Sequence, residues 1–156
     1  MIQRIQSVFM ALASLSALVL FFFPIAWFYG SSNTIAFYVY GLSEHLPDAP
    51  VLKSWIFFLP LMGLTFALIV LPLVAVFNYK HLQQQIRWMR INMFLSILLI
   101  AALLLYYTTN IATLVGVEPN YAAGVFIPLF VLAFSFLAMR GIKKDVKLLR
   151  SVDRLR

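Results

Sequence analysis

Four long apolar runs set the frame of this 156-residue chain. They cover roughly Ile5–Tyr29, Ser54–Phe77, Ile91–Asn110 and Ala122–Met139, and none contains Asp, Glu, Lys, Arg or His. Each approaches or exceeds the ~20 residues with which an α-helix crosses about 30 Å of hydrocarbon. The polar intervals are short, so the pattern predicts an all-α membrane protein: one domain of four transmembrane helices over 1–139, then a tail over 140–156. The first run lies near the N-terminus behind Arg4, as a signal peptide would. However, no small-x-small cleavage site follows its core, and it is longer than an ordinary signal core, so it is expected to stay as a span.

The intervals carry their own patterns. Thr34–Tyr40 is β-branched and aromatic and is followed by Gly41, which predicts a short β-like stretch seated across the outer face. Ser43–Pro50, with Pro47 and Pro50, reads as a turn region. In the tail, Arg140, Lys143, Lys144, Lys147, Arg150 and Arg154 project to one helical face. Ile142, Val146, Leu148, Leu149, Val152 and Leu155 project to the other, which makes a basic amphipathic helix behind an expected break at Gly141. Asp145 and Asp153 fall on the apolar side, within reach of Arg87, Arg90 or a partner's cation.

Lipid is as apolar as Leu, so span association rests on small residues and polar contacts. Ser7, Ala11 and Ser14 form a small-residue seam on span one, and Gly63-x-x-x-Ala67 forms one on span two; these faces are expected to meet. Pro60, Pro72 and Pro128 lie inside spans. Pro72 lies deepest and is expected to bend its helix. Arg4-Ile5-Gln6 and Arg90-Ile91-Asn92 open spans one and three alike, as a duplicated hairpin or as coincidence.

Composition agrees with a membrane protein: 63% of residues are hydrophobic and 11% charged, against about 25% charged in soluble domains. Eleven of the twelve Lys and Arg fall in alternate intervals, namely Arg4, then Lys80, Arg87 and Arg90, then the seven of the tail. The other intervals hold Lys53 with Glu44 and Asp48, and Glu118. Positive charge is retained in the cytoplasm, which places both termini there, in a bacterial cytoplasmic (inner) membrane. The net charge of +7 therefore points to anionic headgroups rather than nucleic acid. Trp27, Phe28, Tyr29, Trp55, Tyr106, Tyr107 and Tyr121 fall where an outer aromatic belt belongs, with Tyr79 and Trp88 on the inner side.

Candidate chemistry is sparse. With no cysteine, thiolate catalysis, disulfides and thiolate metal sites are excluded. Glu44, His45 and Asp48 share a loop but lack further ligands on that side, so neither a metal nor a cofactor is expected. The intramembrane polar groups weighed for a pathway are the Ser, Thr and Asn side chains Ser14, Ser16, Thr65, Asn92, Ser96, Thr108, Thr109 and Ser135. These read as packing polarity.

The opening Met1-Ile2-Gln3-Arg4-Ile5-Gln6-Ser7-Val8 and the ending Ile142–Arg156, with Gln85-Ile86-Arg87 and Arg90-Ile91-Asn92 before span three, resemble the bacterial domain-of-unknown-function 4293 family of small four-span membrane proteins. The resemblance covers the whole chain and implies a four-helix cytoplasmic-membrane protein with no assigned activity and no catalytic residues to carry over. The expected function is a non-catalytic accessory or interaction protein that contacts a membrane protein partner, or a second copy, on its cytoplasmic face. The alternative is an oligomeric small transporter or channel subunit. A third class, an apolar ligand such as a quinone or lipid held between spans, fits the aromatic content. The residues expected to meet headgroups or a partner are Arg87, Arg90 and the tail cations Arg140, Lys143, Lys144, Lys147, Arg150 and Arg154.

Overall fold

Pro24 divides the first apolar run. Its ring would clash with the carbonyl of Leu20 and it offers no N–H, so a helix cannot continue through it. In the structure, a computed structural model, helix α1 spans Gln3–Val19. The chain then tightens through i→i+3 bonds, Phe21 N to Leu18 O at 3.1 Å and Phe22 N to Val19 O at 3.0 Å. The expected first span is therefore a 17-residue helix, roughly 25 Å long, and its aromatic end is strand β1 (Ala26–Tyr29). The structure describes residues 3–30, 34–44, 55–79 and 81–153, and only the backbone of Gln3, Arg4, Glu44 and 149–153. The turn region 45–50 and the cations Lys53, Lys80, Arg154 and Arg156 lie outside the described residues.

The β-like loop expected on the outer face is part of a sheet. Strands β2 (Thr34–Tyr38) and β3 (Gly41–Glu44) form a hairpin with Tyr38 opposite Gly41. β1 pairs antiparallel with β2, Ala26 opposite Phe37, and with β4 (Asn120–Tyr121), Ala26 opposite Tyr121. The order is β3-β2-β1-β4. Phe28, Ile35, Phe37 and Val39 are buried in the same apolar cluster as Leu20, Phe58, Leu103 and Tyr107, so the sheet is seated on one end of the helices. Phe28 and Tyr107, expected in an interfacial belt, are core residues instead. Tyr29, Trp55, Tyr106 and Tyr121 are exposed.

Helix α2 (Trp55–Phe77) carries Pro60 and Pro72 without interruption. Helix α3 (Leu82–Ala101) continues through a π-helical turn (Ala102–Tyr107) into α4 (Thr108–Val115), a rod of 34 residues. It outruns the expected span at both ends because nothing between Leu82 and Val115 is Gly or Pro, and Gln and Arg are good helix formers. After a 3-10 turn (Ala123–Phe126), α5 runs over Ile127–Asp153. It passes through Gly141 unbroken, contrary to the expected break there. Three of these helical segments are long and apolar enough to cross a membrane, Trp55–Phe77, Leu82–Val115 and Ala123–Leu148; α1 is apolar but shorter.

The helices pack as a ring in chain order: α1 against α2 and α5, and α3 against α2 and α5. Each buries one stripe with spacings of four and three residues. On α1 the stripe is Gln6, Met10, Ala13, Ala17 and Leu20; on α2, Phe58, Leu61, Thr65, Leu68, Pro72 and Ala75. On α3 it is Gln85, Met89, Asn92, Ser96, Leu99 and Leu103; on the last segment, Gly124, Pro128, Val131, Ser135, Ala138, Ile142 and Asp145. A period of 3.5 is the spacing that keeps a seam facing its neighbour in left-handed helix bundles. In α3 the π turn inserts one residue, so Tyr107 and Ile111 follow Leu103 on the buried side and Tyr106 faces outward.

The small-residue seams sit differently from expectation. Ser14 is buried at the α1–α2 contact, where its hydroxyl donates to Ile69 O at 2.8 Å. Ser7 and Ala67 are half-buried, while Ala11 and Gly63 are exposed, with nothing within 4 Å of a Cβ built at Gly63. A Gly-xxx-Ala spacing selects on size alone, and here α2 turns its Phe58–Thr65–Pro72 stripe inward instead. Close backbone approach occurs at Gly124, where a Cβ would lie 2.3 Å from Pro24 O. There Gly124 N–H donates to Pro24 O at 3.0 Å and Ala122 N–H to Ile25 O at 2.9 Å, which locks the start of α5 to the end of α1.

Gly124→Ala is therefore expected to cost about 1–3 kcal/mol, since neither backbone can yield, whereas Gly63→Ala stays within about 0.5 kcal/mol. Thermal unfolding in mild detergent, followed by circular dichroism, separates the two; equal stability would refute the close crossing.

Candidate functional site

The end of the ring opposite the sheet gathers the polar side chains. α1 starts there, the α2–α3 link lies there, and α5 ends there. The last carbonyls of a helix have no partner within it, and Gln85 Nε2 donates to one of them, Ala75 O, at 2.8 Å. From α1, Gln6 Nε2 donates to Asp145 Oδ2 of α5. Gly141 makes room for this reach: a Cβ there would meet Gln6 Cγ at 3.0 Å. Further toward the sheet, Asn92 Nδ2 donates to Ser135 Oγ at 2.8 Å, and Ser135 in turn donates to Val131 O at 2.7 Å. Met10, Ala75, Ile86, Met89, Ala138 and Ile142 form the apolar cluster at this end.

The polar groups here face inward. Gln6, Gln85 and Asn92 are at most 4% exposed, and Asp145 is 8% exposed. Among the described residues, two buried oxygens, Asn92 Oδ1 and Asp145 Oδ1, meet no donor. The Gln6 and Asn92 elements of the repeated Arg-Ile-polar pattern end alike, each as a buried amide donating to α5. Of the expected packing polarity, Ser14, Thr65, Asn92, Ser96, Thr108 and Ser135 are buried, Ser16 half-buried and Thr109 exposed.

Around this interior stand the cations. Arg87, Arg90, Arg140, Lys143, Lys144 and Lys147 are all exposed; the side chains of Arg150 and Arg154 are outside the described residues. The Asn92–Ser135 bond sets the level of antiparallel α3 against α5. Arg87 and Arg140 each lie five residues closer to the basic end, about 7.5 Å along their helices. The exposed acid Glu118 lies at the sheet end, two residues before β4. The tail's expected apolar face is partly taken: Ile142 and Asp145 are buried, Val146 packs on the same cluster, and Leu148 is exposed.

Sequence reasoning placed Asp145 on a separate surface helix and left Gln6 and Gln85 without a role. The spacing Ser135, Ala138, Ile142, Asp145 was the available signal, because it continues the buried stripe of the last span without a change of phase. Asp145 lies inside the segment Ala123–Leu148 that is apolar enough to cross a membrane. Nothing at this end assembles a nucleophile with a base among the described residues. His45 and Asp48 of the Glu44 loop lie outside them. An apolar groove of about 340 Å³ runs between α1 and α5 near the sheet, lined by Leu15, Ser16, Val19, Phe23, Ala123, Ile127 and Phe130. Its hydroxyl, Ser16 Oγ, donates to Leu12 O at 2.8 Å, and the rest of the lining is apolar.

Mostly helical, with long apolar helices turning their polar residues inward, the chain is compatible with a multi-pass membrane protein. It matches the family described as Domain of unknown function (DUF4293) over residues 2–155, and belongs to that family. No curated protein matches it.

If Gly141 serves to admit Gln6, the two positions are energetically coupled. In a Gln6→Ala background, Gly141→Ala should stabilise by up to about 1 kcal/mol, the helix preference for Ala over Gly. In the wild type, displacement of Gln6 offsets that gain. A double-mutant cycle by thermal unfolding reads the difference, and additive effects would remove the role given to Gly141.

Proposed function

We propose that this protein is an integral four-helix bundle of the cytoplasmic membrane, without catalysis of its own, whose basic end meets anionic headgroups and contacts a membrane partner on the cytoplasmic side. One observation carries the reading: the exposed cations of α3 and α5 share one end of the helix ring, while Glu118 stands at the other. Retention of Lys and Arg in the cytoplasm puts that end inside, with both termini. α1, though short, lies in the ring beside the three longer helices, and a bilayer accommodates such a helix by thinning around it or by snorkelling of flanking side chains. Each Lys or Arg near an anionic surface contributes about 1 kcal/mol, so Arg140, Lys143, Lys144 and Lys147 together make a firm electrostatic seat. Because α5 is continuous, these charges are held at fixed positions relative to Arg87 and Arg90, which suits a defined contact better than a floating tail. The side-chain-filled interior, with Leu68, Leu99 and Leu103 buried, favours this accessory role over a pore within one copy.

Cysteines introduced at Ser43 and Pro119 should react with an impermeant reagent in intact cells, and cysteines at Gln84 and Ser151 only after lysis; labelling of position 84 in intact cells would reverse the orientation. In nanodiscs of mixed phosphatidylglycerol and phosphatidylcholine, the purified protein should retain the anionic lipid preferentially and lose that preference in salt. The triple variant Lys143→Gln, Lys144→Gln, Lys147→Gln should show several-fold weaker retention at unchanged thermal stability. Equal retention of both lipids by the wild type would sink the headgroup contact.

A further inference from the structure

α2 carries no charged residue, nor does α1 beyond Arg4, so the exposed cations Arg87, Arg90, Arg140, Lys143, Lys144 and Lys147 all stand on α3 and α5. Two of them border the outer seam between those helices. Lys143 follows the inward Ile142 by one residue, a step of about 100°. Gly141, one residue before Ile142, faces Gln6 of α1. Lys143 therefore lies on the flank of α5 turned away from α1 and toward α3. Arg90 follows the inward Met89 in the same way. Adjacent antiparallel helices of a ring are related by an approximate two-fold axis, so the same step from an inward residue leads to facing flanks. Arg90 and Lys143 thus stand on the two lips of one seam. Counted from the Asn92–Ser135 bond toward the basic end, Arg90 lies two residues away, Arg87 and Arg140 five, and Lys143 eight. The cations form a staircase over about 9 Å.

Toward the sheet, the same faces turn apolar at a fixed spacing. Ile97 lies seven residues from Arg90 and Phe94 seven from Arg87, while Phe136 lies seven from Lys143 and Leu129 seven further. Seven residues make about two turns, or ~10.5 Å. These four side chains are 46–66% exposed. Asp145 is turned inward to Gln6, which leaves the described side chains along the seam without an outward carboxylate. Cations at one level with exposed hydrocarbon directly beneath them match an amphiphile better than the surface of a protein partner.

We infer that the α3–α5 seam holds one molecule of a two-phosphate lipid, diphosphatidylglycerol. One phosphate lies on the Arg90 lip and the other on the Lys143 lip, with Arg87 and Arg140 at the level between, and the acyl chains follow the Phe94–Ile97 and Phe136–Leu129 stripes. Basic clefts between membrane helices on the cytoplasmic side suit such headgroups. A lipid with a single phosphate engages one lip; two linked phosphates engage both, and the second contact is then intramolecular. The assignment rests on the headgroup contact proposed for the basic end and adds to it a discrete site with one occupant.

Native mass spectrometry of the full-length protein in mild detergent tests the site, with diphosphatidylglycerol, phosphatidylglycerol or phosphatidylcholine titrated at equal phosphate. One equivalent of diphosphatidylglycerol should bind about tenfold or more tighter than phosphatidylglycerol. Arg90→Gln and Lys143→Gln should each weaken that first equivalent about fivefold, at unchanged melting temperature because both side chains are exposed. Lys144→Gln removes the same charge one residue away, off the seam, and should weaken it less than either. Equal affinity for the two anionic lipids, or equal losses from Lys143→Gln and Lys144→Gln, overturns the seam site and leaves the anionic preference of the basic end standing. Binding of both anionic lipids no tighter than phosphatidylcholine removes the headgroup contact and the seam site together. A copurifying polypeptide that Lys143→Gln releases, with lipid binding unaffected, overturns the lipid and assigns the seam to a protein.

Discussion

Hydroxyls from neighbouring helices bond backbone carbonyls of α2 twice, each time one residue beyond a carbonyl that a proline leaves without its helical partner. Pro60 and Pro72 supply no N–H to Ile56 O and Leu68 O, and their rings open the turn before them. In each case a hydroxyl from a neighbouring helix bonds the next carbonyl, three residues ahead of the proline: Tyr107 Oη donates to Phe57 O at 3.1 Å and Ser14 Oγ to Ile69 O at 2.8 Å. These two bonds, beside the turns that the prolines open, tie α2 to the α3 rod at the sheet end and to α1 in mid-helix. Membrane helices tolerate proline on these terms. With Gln85–Ala75, Asn92–Ser135 and Gln6–Asp145, every adjacent pair in the ring has at least one side-chain bond across it. Each contributes about 0.6 kcal/mol on average in comparable settings, so direction and register, more than strength, are what they provide.

The same economy explains the distribution of residue types. Phe22, Phe66, Phe94, Leu105 and Phe130 remain on the outside, while amides and hydroxyls turn in, where partners exist, a distribution compatible with an apolar surrounding. The sheet completes the arrangement. Its strands come from the α1–α2 and α3–α5 connections, and β1 bonds to both neighbours. One end of the ring is therefore fastened by backbone and the other by side chains, chiefly Gln6, Gln85 and Asp145.

Length and hydropathy were enough to locate α2, the middle of α3 and the start of α5, because nothing but a helix satisfies a long apolar backbone in lipid. They failed where backbone chemistry overrides hydropathy. Pro24 stops α1 although Ile25–Tyr29 is as apolar as what precedes it, and Ala26–Tyr29 then joins Thr34–Tyr38 as strands. The buried faces were legible only through polarity: in runs this uniformly apolar, Gln6, Ser14, Thr65, Asn92, Ser96 and Ser135 mark the inward stripes, whereas the size pattern at Gly63 and Ala67 marks none. Gly124 and Gly141 owe their identity to Pro24 O and to the Gln6 side chain, contacts between segments more than 90 residues apart that no local pattern announces. Arg87, Arg90 and the α5 cations were readable because exposed charge needs no partner to define it.

The π-helical turn at Ala102–Tyr107 makes the winding, rather than residue type, the sensitive quantity in that part of the chain. Each residue advances an α-helix by about 100°. The wider turn therefore decides which of two neighbouring tyrosines, both packed on the Phe57 ring, is buried with its hydroxyl on Phe57 O, here Tyr107, and everything from Thr108 onward inherits that phase, including the approach to β4. Exchange of Leu104 or Leu105 for another apolar side chain leaves the phase alone. Deletion of either, with a return to regular winding, would leave Tyr107 three residues after Leu103 and Ile111 four further on, the spacing of the rest of the stripe, so both stay inward. Regular winding with every residue kept would instead turn Tyr106 inward and Tyr107 out, with the strand that follows carried off its partner.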